Sequence, residues 1–334
     1  MKSYGRRSHL AALLTAMVAC VCLLSLGTAP VWAKVGTITE FPHSSRLGGP
    51  DFITAGPDGN LWFTLAQANQ IGRITTGGSI TAFPIPTAGS APTGITAGPD
   101  GNLWFAEVNG NQIGRITTAG SFTEFPIPTA SSDPQGITAG PDDNLWFSEN
   151  MGNKIGRITT GGTITEFPIP TKSSAPFDIT AGSDGNLWFT ERVGNKIGRI
   201  TPSGSITEFP VPTASSGPDF VTAGPNGVLW FTEGSGNKIG RITTEGLITE
   251  FPLPTTCRPT SGCAPSGIAA GSDGNLWFTD FGGNTIGRIT PNGSFTFFPI
   301  PSFHSNPFAI TAGPDGNLWF TEENAGKIGR ITTK

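Results

Sequence analysis

Seven near-copies of one unit fill the chain from about residue 36 to its end, each reading close to AGPDGNLWFTE, GNKIGRITT, a short turn and ITEFPIPT. Trp62, Trp104, Trp146, Trp188, Trp230, Trp277 and Trp319 mark the copies and stand 42, 42, 42, 42, 47 and 42 residues apart. A period of that length holds one small sheet per unit, and such a chain folds by packing like units side by side.

Each unit contains four short runs of strand character separated by turn residues. An inner run such as Gly94-Ile95-Thr96-Ala97 leads to a Pro-Asp-Gly-Asn turn, where Asp-Gly favours the positive φ angles of a tight hairpin. LWFTE follows with alternating sides, then Gly-Asn-Lys, IGRIT, a glycine turn such as Thr160-Gly161-Gly162, and ITEFP. The proline after phenylalanine cannot donate a ladder hydrogen bond, which assigns the fourth run to a sheet edge. With 47 glycines and 29 prolines, helices are excluded almost everywhere. The fold class is therefore all-β: a seven-bladed β-propeller of four-stranded antiparallel blades. The last unit lacks its ITEFP run, whereas the segment Thr37–Pro42 supplies an unattached one, so the N-terminal strand is expected to close the last blade and remove the free edges.

Residues 1–33 read as an export signal and 34–334 as the propeller. Lys2, Arg6 and Arg7 precede an apolar run from Leu10 to Leu26, and Val31-Trp32-Ala33 offers small residues around a cleavage point. The expected location is secreted or cell-envelope, with no membrane span after cleavage. Cleavage removes Cys20 and Cys22 and leaves Cys257 and Cys263 in TTCRPTSGCAP, the one place where the repeat gains five residues, and an oxidising compartment would let them pair as a disulfide. Residues 1–33 hold three basic residues and no acidic one, so 17 Lys and Arg remain against 24 Asp and Glu, a net charge of −7. The basic residues also recur singly in each IGRIT and form no stripe, which argues against nucleic acid as a partner. A monomer is expected.

A residue present in every repeat builds the blade, since one active site does not need seven copies. The Trp and Phe of LWF, the Ile and Arg of IGRIT and the Phe-Pro of the outer strand fall in this class. The acidic position closing the LWFTE run, held by Glu107, Glu149, Glu191, Glu233, Asp280 and Glu322 and lost only at Leu65, is read as satisfying its own turn or a nearby cation, with a carboxylate collar on the upper face as the functional alternative. The upper face is the side carrying the inner-strand starts and the connections between blades.

Function is sought where the repeats disagree on that face. The residue after the proline opening each inner strand is Asp51, Thr93, Gln135, Phe177, Asp219, Ser266 or Phe308, and the next position adds Phe52, Asp178 and Phe220. This mixture of aromatics, carboxylates and amides suits a small-molecule or peptide ligand. His43 and His304 both fall in connections between blades, where a solvated loop histidine is the ordinary case. There is no G-x-S-x-G elbow and no phosphate-cradling Gly-Lys loop.

The repeat AGPDGNLWFTE, GNKIGRITT and ITEFPIPT closely resembles that of the virginiamycin B (streptogramin B) lyases, and the resemblance covers all seven units. It implies a seven-bladed propeller and, as one candidate activity, a magnesium-dependent elimination that opens an ester-closed antibiotic ring on the upper face near the axis. Carried over residue by residue, the working groups of that family largely change. Ser266 and Phe308 stand where the lyases have histidines, Asn306 stands for a glutamate and Asp51 for a tyrosine. Only Glu323 matches, at a position held by Ala66, Val108, Asn150, Arg192, Gly234 and Phe281 in the other blades. Loss of a general base and a general acid costs orders of magnitude in rate. The expectation is an exported propeller of this type that binds a ligand without the histidine-based chemistry. One alternative is a lyase in which His304 and Glu323 are catalytic and Glu323 with Asp51 holds Mg2+. A further alternative is a metal-dependent lactonase using Gln135, Asp219, Asp51 and the glutamate collar.

Overall fold

The computed structural model describes residues 34–43, 48–254 and 263–334. The expected export segment and Cys257 lie outside these residues. Cys263 is buried beside the start of an inner strand. Seven four-stranded antiparallel sheets make up the described chain, six of them in sequence order from inner to outer strand. Blade one comprises Ile53–Ala55, Leu61–Leu65, Gln70–Ile74 and Ile80–Pro84. Blade seven takes Pro307–Ala312, Leu318–Glu322 and Lys327–Ile331 from the C-terminal end, and its outer strand is Ile38–Pro42 from the N-terminal end. Glu40 lies opposite Gly329 and Phe41 opposite Ile328, so the ring closes as the incomplete last repeat requires.

Each second strand is fully buried because both of its faces meet other blades or strands. The tryptophan and phenylalanine of every LWF run have no solvent contact. On the face toward the following blade, Trp62 stacks on Phe83 at 5.5 Å, and the Arg73 guanidinium lies 5.5 Å from the indole. Arg73 then donates to the Thr118 carbonyl of blade two at 3.1 Å. Arg115, Arg157 and Arg199 repeat the link at 3.1, 3.1 and 2.9 Å. Burial of each such aromatic pair stabilises by a few kcal/mol (roughly 25 cal/mol per Å2), and the arginine satisfies a carbonyl across the blade interface. The IGR glycine is required by this packing: a Cβ on Gly156 would stand 2.1 Å from the Phe147 ring.

The Asp-Gly turns differ from the expected hairpin in detail. Only the glycine takes a positive φ, as at Gly59 (74°), while the aspartate side chain reaches forward. Asp58 accepts the Asn60 N–H at 3.2 Å and the Trp62 indole N–H at 3.0 Å. The turn thus satisfies the one polar atom of the buried tryptophan. Blade five departs: Asn226 and Val228 replace the Asp and Asn, both Asn226 and Gly227 have positive φ, and the Trp230 indole N–H has no partner.

Candidate functional site

The acidic position of the repeat forms no collar around the axis. Glu107, Glu149, Glu191, Glu233 and Glu322 are all completely buried, and their carboxyl oxygens make no well-formed hydrogen bond. Each lies beside the glutamate of its blade's outer strand. Glu149, for instance, faces Glu166, whose own carboxylate accepts from Lys154 at 2.8 Å and from the Thr129 backbone at 3.0 Å. Burial first, then the Glu166 charge, pushes Glu149 to about 8, with Lys154 opposing. Burial also works against the Glu166 carboxylate, but its hydrogen bonds from Lys154 and Thr129 outweigh it and hold that group below the usual range. Where the second-strand glutamate is lost, its outer-strand partner is lost with it, as Leu65 with Ala82, and where it shortens to Asp280 the partner is Phe297. These acids belong to the blade structure.

The idiosyncratic inner-strand residues do converge. Phe52, Phe177, Phe220 and Phe308, from blades one, four, five and seven, pack as one cluster, with ring centroids 5.2 Å apart for Phe220 and Phe308 and 5.4 Å for Phe52 and Phe308. Three of the four are buried. Aromatics expected to line the rim therefore pack on one another across the inner strands.

Beside this cluster Arg192 lies over the Phe177 ring at 3.2 Å and donates to Asp219 through Nε at 2.6 Å and again through Nη2. Burial raises the Asp219 carboxyl against the opposing effect of Arg192. Asp178 accepts the Val221 N–H at 2.9 Å, and burial holds it at about 7. Gln135 is turned away, donating to Asp133 at 2.7 Å.

A cavity of about 240 Å3 opens on the upper face next to the cluster, lined by Asp219, Pro265, Ser266, Phe281, Phe308 and Glu323. Two of these, Ser266 and Phe308, are the positions at which the sequence resemblance implies histidines. Glu323 is set by its backbone N–H, which donates to the Asn306 carbonyl at 3.2 Å, and Asn306 itself holds a left-handed φ of 50°. Burial, then the charge of Asp51, raises Glu323 to about 7. Burial likewise raises Asp51 to about 6, with the Ala66 N–H bonding the carboxylate in opposition. The two carboxyls are thus electrostatic neighbours, and neither forms a salt bridge among the described residues.

The histidines separate. His304 is exposed in the connection before blade seven and does not line this cavity. His43, expected as a solvated loop residue, is buried and lines a second cavity of about 310 Å3 that shares Glu323. Among the described residues, no group of three or more His, Cys, Asp or Glu side chains is placed to hold a metal ion. Arg192 and Phe281 were missed as site residues by sequence reasoning. Their signal was that both interrupt the repeat at the position that Glu323 occupies in blade seven.

The model of the virginiamycin B lyase family matches residues 31–149 and 127–334. A solved streptogramin B lyase is 41% identical over 89% of this chain and 98% of its own, with a TM-score of 0.84. A catalytically inactive histidine variant of virginiamycin B lyase from Staphylococcus aureus, solved with quinupristin, is 44% identical over 89% and 99%, with a TM-score of 0.83. Hydrazine synthase of Kuenenia stuttgartiensis, 18% identical with a TM-score of 0.73 over 86% and 96%, shares the fold. Among curated proteins no sequence matches.

Proposed function

This chain belongs to the virginiamycin B lyase family, and from that premise we propose that it is an exported member which binds a small molecule or peptide in the upper-face cavity without the histidine-dependent elimination. The supporting observation is that Ser266 and Phe308 line the cavity, at the two positions for which the family resemblance implies imidazoles. A serine hydroxyl is a poor base and a phenyl ring is none, so neither can take the proton that elimination must remove. Phe308 is moreover packed edge-on to Phe52 and Phe220. The walls that remain, apolar on one side and carboxylic on the other, suit recognition.

Magnesium fits this site as a weakly held ion. Asp51 and Glu323 are two neighbouring carboxyls, neither in a salt bridge among the described residues, and Mg2+ is commonly held by one or two carboxylates, with water and ligand oxygens completing its shell. Bound there, it would polarise a ligand carbonyl and offset the mutual repulsion of the pair.

Incubation with a streptogramin B antibiotic and magnesium, followed by chromatography and mass measurement, tests the reading. The expected result is unchanged cyclic antibiotic. A linear product of the same mass would overturn it, and a product heavier by one water would point to hydrolysis.

A further inference from the structure

The cavity is chemically lopsided. At its blade-five end the Asp219 carboxylate already has a cation, since Arg192 donates to it twice. At its blade-seven end Glu323 has none, and its electrostatic neighbour Asp51 accepts only one backbone N–H. Gly49, two residues before Asp51, packs its Cα against the Glu323 backbone so closely that a Cβ would stand 2.2 Å from the Glu323 carbonyl oxygen, which fixes these segments together. Between the two ends lies Ser266. It is 5% exposed, it lines the cavity, and its hydroxyl bonds no described residue. The residue is buried while its hydroxyl, open only to the cavity, is satisfied by what enters there. Phe281 and Phe308 supply apolar walls, and Phe281 is 37% exposed at the mouth.

We propose that the ligand of this cavity is an organic ammonium compound with a compact apolar body, its cation held by Glu323 with Asp51, one polar group met by Ser266, and the body set against Phe281 and Phe308. The inference rests on the upper-face binding role proposed above and adds the ligand's chemistry. When no metal ion occupies the pair, an anionic ligand would meet two uncompensated carboxyls, and a neutral one would leave them uncompensated. The aromatic walls favour a cation over a neutral group as well.

Three probes of equal size separate these cases: 2-phenylethylammonium, 2-phenylethanol and phenylacetate. Their binding is measured by saturation-transfer NMR on the full chain at pH 8 in EDTA. The ammonium probe is expected to bind at least about tenfold more tightly than the alcohol, the difference of one charge-assisted hydrogen bond. Glu323→Gln is expected to lower its affinity to the level of the alcohol, Asp51→Asn to lower it several-fold, and Ser266→Trp, which fills the cavity, to abolish binding of every probe. Equal binding of ammonium and alcohol, or ammonium binding untouched by both carboxyl variants, overturns the cation assignment while loss on Ser266→Trp keeps the binding cavity. Binding that survives Ser266→Trp, or no binding of any probe up to about 10 mM, overturns the cavity reading as well.

Discussion

The Glu40 carboxylate lies 3.1 Å from the Lys327 ammonium, joining a residue of the first described strand to one of the last across 287 positions of sequence. The same carboxylate accepts the Ser302 N–H at 3.0 Å, so it also ties blade seven to the connection leaving blade six. Glu166 makes the equivalent bonds in blade three, but there the outer strand is covalently continuous with its neighbour through a tight turn. Removing either carboxylate should cost about 1 kcal/mol of local hydrogen bonding. Only Glu40→Ala, however, loosens the blade that is closed without a covalent hairpin. Thermal unfolding and unfolding rates should therefore show Glu40→Ala unfolding faster than Glu166→Ala, and equal rates would mean that closure does not limit opening of the ring.

Stability should fall as pH rises from about 5 to 9. Glu107, Glu149, Glu191 and Glu322 are held at about 8 and Glu233 at about 7, against an ordinary 4.5, because burial and an adjacent carboxylate disfavour their ionisation. The folded state then binds more protons than the unfolded one between these limits. Its stability is complete below about 4.5 as far as these groups are concerned and is lost as pH passes through 7–8. On the acid side the sign reverses, since Asp58, Asp100 and Glu166 are held below their usual range and lose their contribution when protonated. Glu149→Gln should leave stability near pH 5 almost unchanged and raise it by about 1–2 kcal/mol at pH 9. Denaturant melts at the two pH values measure this, and a Gln variant that is no more stable at pH 9 would show that the acid is not strained there.

Blade five offers a gain in stability. Its Trp230 indole N–H is unpartnered, whereas Asp58, Asp100, Asp142, Asp184, Asp273 and Asp315 accept the same group in the other blades at 2.9–3.1 Å. Asn226→Asp combined with Val228→Asn rebuilds the turn of the other six and sets a carboxylate near Arg241, as Asp58 lies 3.7 Å from Arg73. The pair should add about 1 kcal/mol. For a chain of this size that is a rise of roughly 2–4 °C in melting temperature by calorimetry. Asn226→Asp alone should give less, because Val228 cannot make the Asn60-type bond to the carboxylate.

Periodicity made the scaffold legible because each blade solves the same packing problem with the same residues. The tryptophan spacing, the Phe-Pro edge and the orphan strand at Thr37–Pro42 led directly to blade count and closure. The site was legible only as a list. That Ser266, Phe308 and Glu323 line one cavity, with Asp51 an electrostatic neighbour of Glu323, while Gln135 bonds Asp133 depends on which neighbours the bulged inner strands meet, and a period cannot show this. The acids were read as serving their own turns or a nearby cation, with a ring as the alternative, and their pairing escaped notice because Glu149 and Glu166 lie 17 positions apart on different strands. The paired loss of Leu65 and Ala82 carried that information within the sequence. Arg192 and Asp219 illustrate the same point: two departures from the repeat in adjacent blades proved to be one ion pair.

Restoring the family's side chains should restore a measurable part of the family's chemistry if their loss is what distinguishes this chain. The variant Ser266→His, Asn306→Glu, Phe308→His returns an imidazole to both cavity positions and a carboxylate beside Glu323, whose backbone already bonds to residue 306. Phe308 packs on Phe52 and Phe220, so its replacement by a smaller polar ring should cost about 1–3 kcal/mol, and the variant should melt several degrees below the parent. With magnesium and a streptogramin B, the triple variant is expected to yield linear antibiotic of unchanged mass at a rate at least about a hundredfold above the parent, the ordinary contribution of one general base. Ser266→His alone should not, because the second imidazole and the added carboxylate would still be missing. A folded triple variant with no product would mean that Asp51, in place of the family's tyrosine, or the Phe52–Phe177–Phe220 cluster also blocks the productive pose. Chromatography with mass detection, beside a melting curve for each variant, separates that result from simple unfolding.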